Sequence, residues 1–194
     1  MIHHIPQIFH HYKAIFIHIP KVAGTSMERA LELSHMDNVG GHSTALAIRI
    51  QYPKEFNEYY KFSFVRNPYD RISSAYFYLK NIKAGGDHQN QLVHLSKDIN
   101  DYIENYLSKE TIIHLWPQYK FITGPFGNIL IDSIFRFENL EEDWEKVCGK
   151  LKVNLNLPHF RPTKKKLFEY TPNSINIINK LYKKDFELFG YKMI

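Results

Sequence analysis

Ile15-Phe16-Ile17-His18-Ile19 is a β-branched and aromatic run that reads as a buried strand, and the chain turns directly after it. Pro20-Lys21-Val22-Ala23-Gly24 makes a tight turn, with a small residue where backbone must come close to a ligand. Thr25 and Ser26 then open a helix whose Met27, Ala30 and Leu31 fall at helical spacing. A strand, a turn and a helix N-terminus in this order make an anion site, because unpaired helix N–H groups and the positive end of the helix dipole face the ligand. Lys21 adds a mobile cation, and the two hydroxyls add donors. The turn is not a Walker A loop, which needs Lys immediately before its Ser or Thr. Here Lys21 stands at the start of the turn and Gly24 is followed directly by Thr25, so magnesium-ATP chemistry is disfavoured. Taken alone, the segment also reads as an ordinary strand–turn–helix with Ser/Thr capping.

The rest of the chain repeats the alternation. Residues 61–65 and 133–137 are further strand candidates. Helical patterns cover about residues 25–33, 68–80, 98–109, 139–152 and 173–189, the second opening on Pro68. Strands alternating with helices predict an α/β layer fold with a central parallel sheet flanked by helices. At 194 residues one domain is expected, 1–194, with residues 1–13 as an N-terminal arm. A single cysteine, Cys148, excludes a disulfide framework and a multi-Cys zinc site. His3-His4 and His10-His11 lack a carboxylate or Cys at ligand spacing, so no metal is expected. No apolar run reaches the roughly 18 residues of a membrane helix, and no signal-peptide pattern opens the chain. The net charge of +5 suits an anionic ligand without choosing one.

A second motif lies in Lys61-Phe62-Ser63-Phe64-Val65-Arg66-Asn67-Pro68-Tyr69-Asp70-Arg71-Ile72-Ser73-Ser74. Arg66 falls at the carboxyl end of a strand, the edge where open parallel sheets bind ligands. Its guanidinium can fork onto a phosphate. Ser74 lies about two helical turns further on and could donate to the same phosphate. Arg71 could help or pair with Asp70.

With both motifs in view, the chain resembles the sulfotransferases that use 3′-phosphoadenosine 5′-phosphosulfate (PAPS), particularly the carbohydrate sulfotransferase-like branch with its bacterial members. The likeness rests on Lys21, Gly24, Thr25 and Ser26, then on Arg66, Asn67, Pro68, Arg71 and Ser74. His114-Leu115-Trp116-Pro117-Gln118, Phe137-Glu138-Asn139-Leu140, Leu157-Pro158-His159 and Phe189-Gly190-Tyr191 extend it. The resemblance implies a P-loop-like three-layer fold and PAPS as donor, with no metal required. It implies that Lys21, Ala23, Gly24, Thr25 and Ser26 hold the 5′-phosphosulfate, and that Lys21 also stabilises charge on the leaving phosphate. It assigns Arg66 and Ser74, with Arg71, to the 3′-phosphate. Arg161, Lys164 and Lys165 fall where the family closes over the nucleotide, although this stretch departs from the usual Asn-containing pattern.

The acceptor hydroxyl needs a base that titrates near neutrality, and His suits this. The resemblance points to His42, with Glu28 and Glu32 as rivals. His18, inside a strand, reads as a packed core histidine, and His114 as structural. Trp116 could stack on a sugar or adenine or pack in the core. The acceptor is expected to be a saccharide, met by variable loops over residues 36–59 and 85–96. No nucleic-acid partner or membrane segment is expected, and a cytoplasmic location is, although a truncated Golgi-luminal domain would look similar. Two other readings stay open: a P-loop-like nucleotide kinase or phosphoryl transferase, and a noncatalytic polyanion- or RNA-binding module.

Overall fold

Four strands and ten α-helices form among the described residues, which are 7–31, 41–82, 91–158 and 169–194 of a computed structural model. The strands are β1 (Ile8–Phe9), β2 (Ala14–Ile17), β3 (Tyr60–Val65) and β4 (Ser133–Arg136). The helices are α1 (Gly24–Leu31), α2 (Ala45–Gln51), α3 (Pro53–Glu58), α4 (Pro68–Asn81), α5 (Gln91–Leu95), α6 (Ile99–Asn105), α7 (Tyr119–Ile122), α8 (Leu140–Leu151), α9 (Pro172–Leu181) and α10 (Lys183–Phe189). The chain divides into two units. Unit 1 draws on Met1–Arg66 and Lys120–Arg161, unit 2 on Asn67–Tyr119 and Pro162–Ile194.

Unit 1 carries the sheet, in the order β1-β2-β3-β4. β2, β3 and β4 are parallel, as the alternating sequence pattern predicts. Ile15, Phe16, Ile17, Phe62 and Phe64 are fully buried, which explains the continuous apolar runs. β1, within residues 1–13, adds one antiparallel edge strand to this parallel centre. A two-residue strand leaves no periodicity to read. A 3-10 turn at His10–Tyr12 and Lys13, with φ of 47°, close this hairpin. The β3–β4 register is fixed at its start by Asp132, whose carboxylate accepts the Lys61 N–H at 2.7 Å and pairs with Lys61 Nζ at 3.0 Å.

α2 and α3 lie within residues 36–59, where a loop was expected. Both carry local start signals. Thr44 Oγ1 accepts the Ala47 N–H at 3.2 Å, and Pro53 opens α3. Residues 36–40 and 85–90 of the expected acceptor loops lie outside the described residues. α8 buries Leu140, Trp144 and Val147, with Trp144 Nε1 donating to Leu155 O at 2.7 Å.

Unit 2 is helical. Asn67 caps α4 by accepting the Tyr69 N–H at 3.0 Å, and Pro68 takes the first helical position, where its missing N–H costs nothing. Its core joins Ile72, Tyr76 and Leu79 of α4 to Tyr102 of α6 and Ile178 of α9. The single helix expected over 173–189 is two helices, and Tyr182 marks the break. Its hydroxyl donates to Leu115 O at 2.6 Å from a buried position. Three residues on, the fully buried Asp185 carboxylate accepts the Gln118 and Tyr119 N–H groups at 2.7 and 2.9 Å. Both anchors reach into the same segment, and a straight helix would leave buried polar groups unbonded. Burial pushes the Asp185 carboxyl above its ordinary range.

Candidate active site

Parallel pairing brings the carboxyl ends of β2, β3 and β4 to one sheet edge, where open α/β sheets bind ligands. Ile17 lies opposite Ser63, and Val65 opposite Arg136. The turn after β2, Arg66 after β3 and Phe137 after β4 therefore leave the sheet side by side. Ser63 is fully buried, and its hydroxyl donates to Ile17 O at 2.7 Å. The Ile19 N–H donates to the same oxygen at 3.1 Å. These two bonds end β2 before the apolar sequence run is over.

The turn that follows is strained. Lys21 and Ala23 have φ of 72° and 66°, in the left-handed region. Such a residue costs about 1–2 kcal/mol when it carries a Cβ. Strain of this kind persists only where the surroundings impose it, and it gathers at functional sites. Alternating backbone hands also turn successive N–H groups toward a common point, which makes an anion-binding concavity. The Ser26 and Met27 N–H groups both donate to Ala23 O, at 3.0 and 3.4 Å, closing the first turn of α1 on the strained residue. Helix geometry leaves the Gly24 and Thr25 N–H groups without intrahelical acceptors. A β-branched side chain at position 23 worsens the left-handed strain. Ala23→Val is expected to lower stability by about 2 kcal/mol, read as a reduced urea midpoint at unchanged m-value.

Two cations meet beside this turn. Arg66 NH1 donates to Lys21 O at 3.2 Å, and its guanidinium lies 4.2 Å from the Phe137 ring centroid. The stack fixes the guanidinium plane, and the hydrogen bond ties it to the turn. Lys21 is half-buried, and burial first, then the Arg66 charge, lower its ammonium pKa from 10.5 to about 8. A half-buried ammonium whose ionisation is depressed beside a second cation marks a place where an anion is favoured.

Behind the turn lies a histidine–glutamate pair. His18 Nδ1 and Glu28 Oε1 are 2.9 Å apart, with 4% of His18 and none of Glu28 exposed. Glu28 Oε2 has no hydrogen-bond partner among the described residues. Leaving a buried acceptor unbonded costs about 1–3 kcal/mol. The His18 ring also presses on Gly24, where a Cβ would stand 2.0 Å from ring Cδ2 and Nε2. Only glycine fits there. His42 Nδ1 lies 3.0 Å from His18 O, with the two rings 4.5 Å apart at 70°. A carbonyl can only accept, so His42 Nδ1 donates to it, and in the neutral ring the basic nitrogen is then Nε2. That is the form in which an imidazole takes up a proton. Gln7 Nε2 donates to Gly41 O at 2.8 Å and steadies this segment.

A family model described as the Sulfotransferase family matches residues 7–192. The chain belongs to the sulfotransferase family. Membership supports a sulfotransfer activity. Over 102 residues, 50% of this chain and 72% of the relative, the sequence is 31% identical to an uncharacterized protein of Archaeoglobus fulgidus. No solved structure matches.

Within this sulfotransferase, Lys21, Ala23, Gly24, Thr25, Ser26 and Arg66 gather at one edge of unit 1, with His42 beyond His18. Thr25 is exposed and Ser26 half-buried at the start of α1. Glu28, offered as a rival base, is fully buried and bonded to His18. Glu32, Arg161, Lys164 and Lys165 lie outside the described residues. Ser74 and Arg71 stand on α4 in unit 2. Ser74 is half-buried. Arg71 is 1% exposed, and its NH2 donates to His114 O and Trp116 O at 3.0 and 2.9 Å. Trp116 is 36% exposed with its indole N–H on Thr111 O, and His114 lies against Tyr78. Phe137 and Ser63 were missed as site residues by sequence reasoning. Phe137 had a signal, an aromatic residue just past the third parallel strand. Among the described residues no group of three or more His, Cys, Asp or Glu side chains could hold a metal ion. None of the described helices is long and apolar enough to cross a membrane.

Proposed function

We propose that the protein transfers a sulfonyl group from PAPS to an acceptor hydroxyl, with a saccharide as the favoured acceptor class. The single observation that carries this reading is the strained turn at Lys21 and Ala23, with Arg66 bonded to Lys21 O and stacked on Phe137. Bound PAPS supplies a sulfonyl group activated by a phosphate leaving group. The Gly24 and Thr25 N–H groups and the hydroxyls of Thr25 and Ser26 hold the 5′-phosphate end. Arg66 presents a fixed fork to the 3′-phosphate. The Lys21 ammonium stabilises charge as it builds on the leaving phosphate oxygen, an interaction stronger in the transition state than in the ground state. His42 Nε2 accepts the proton from the acceptor hydroxyl as its oxygen bonds to sulfur and the sulfur–phosphate oxygen bond breaks.

The test is release of 3′-phosphoadenosine 5′-phosphate from PAPS, with excess chelator, across a panel of oligosaccharides. Magnesium-ATP with the same panel is the control. Metal-independent release that depends on acceptor supports the reading. Turnover of magnesium-ATP alone would return the phosphoryl-transferase alternative.

A proton-linked signature follows from Lys21. In the free protein its pKa is about 8, so the neutral amine grows in from that pH upward. A bound anion favours the ammonium and raises its pKa toward the ordinary 10.5. Binding of the bisphosphate therefore takes up a proton between those values, and affinity falls as pH rises through about 8. Calorimetry near the middle of that window, in buffers of different ionisation enthalpy, reads the uptake. Lys21→Met is expected to abolish it.

A further inference from the structure

We infer that His18, held by Glu28, is a positioning residue that couples the donor-side turn to the His42 base. The inference rests on the roles proposed for that turn and for His42. His18 touches neither donor nor acceptor in this scheme, and both of its ends are engaged. Its ring fills the space that a Cβ on Gly24 would need, so the ring sets where the first turn of α1 lies. Its main-chain oxygen receives the His42 Nδ1–H, which sets the orientation and tautomer of the base. Among the described residues the ring is hydrogen-bonded to Glu28 Oε1, and it stacks on Phe16 with centroids 5.6 Å apart at 16°.

The choice of residues argues against simple filling. Beside Phe16, two apolar side chains would fill the core more cheaply than a His–Glu pair whose carboxylate has one oxygen unbonded among the described residues. What the pair adds is direction. The hydrogen bond holds the imidazole edge in one place, where an aliphatic side chain would be free to shift. A shift of the ring by a fraction of an ångström moves the Gly24 N–H and the His18 carbonyl together, because both belong to residues touching the same ring. Donor binding and base orientation then rise and fall as one.

The experiment uses the full chain and two substitutions at Glu28. Glu28→Leu keeps the volume and removes the acceptor for His18. Glu28→Gln keeps an oxygen that can accept the His18 N–H. One readout is calorimetric affinity for 3′-phosphoadenosine 5′-phosphate, taken per binding-competent protein. The other is the imidazole nitrogen spectrum of His42, which reports which nitrogen carries the proton. Glu28→Leu is expected to weaken the bisphosphate by about tenfold, the scale of a small misplacement, and to turn a single His42 Nδ1–H tautomer into a mixture. Glu28→Gln is expected to recover most of both. Wild-type affinity and an unmixed His42 spectrum in Glu28→Leu would overturn the inference, as would a Glu28→Gln variant no better than Glu28→Leu. If the wild-type chain does not bind the bisphosphate but the His42 tautomer still follows position 28, the proposed function falls while the His18 link to His42 survives.

Discussion

Lys21→Ala is expected to lower the rate of bisphosphate release by roughly two to three orders of magnitude, the scale seen when one preorganised charge-stabilising group is removed. The effect should fall on kcat more than on donor KM, because the charge that Lys21 meets is largest when the bond to sulfur is breaking. Lys21 is held half-buried against its own desolvation and against the Arg66 charge, so removing its ammonium relieves both. Thermal unfolding of the variant should therefore sit at or slightly above the wild-type midpoint while activity collapses. A drop in rate of less than about threefold would take Lys21 out of the chemistry.

Arg66→Ala is expected to act on binding instead, weakening 3′-phosphoadenosine 5′-phosphate by about tenfold to a hundredfold, since hydrogen bonds to charged groups contribute about 1.5–3 kcal/mol each. Arg66→Lys should not restore the affinity. A lysine cannot sit over Phe137, as the guanidinium does at 4.2 Å, and also fork onto a phosphate while bonding Lys21 O. A second consequence distinguishes a direct role from general loosening. Without the Arg66 charge the Lys21 pKa should rise from about 8, and the pH at which binding weakens should move up with it. Unchanged bisphosphate affinity in folded Arg66→Ala would detach the second motif from the nucleotide.

The parts of this site that were legible in the sequence are those whose chemistry is local. The strand–turn–helix around Lys21 and Gly24 could be read because apolar period, small residues and Ser/Thr follow one another without interruption. Asn67 and Pro68 marked the start of α4 for the same reason. Contacts between distant residues were not legible. Nothing at position 18 announces that its ring fills the space over Gly24 and bonds Glu28, and the strand context favoured a plain core histidine. Arg71 was read from its place in the second motif, and its NH2 contacts were not legible there. Its partners are carbonyls more than forty positions away, which no spacing rule reveals. The break at Tyr182 was hidden in the same way, since the apolar stripe runs on through it while tertiary anchors bend the backbone.

The three strands whose ends carry the site are neighbours in space but not in sequence: β2 ends at Ile17, β3 at Val65 and β4 at Arg136. A chain emerging from the ribosome exposes residues 20–24 long before Phe137 exists to stack on Arg66. Parallel pairing across such separations is slow to nucleate, because the loop entropy is lost before the contacts repay it. The turn should therefore gain its left-handed residues, and any grip on an anion, only in the last stage of folding. A nucleotide supplied during refolding would be captured late and would slow unfolding more than it speeds folding.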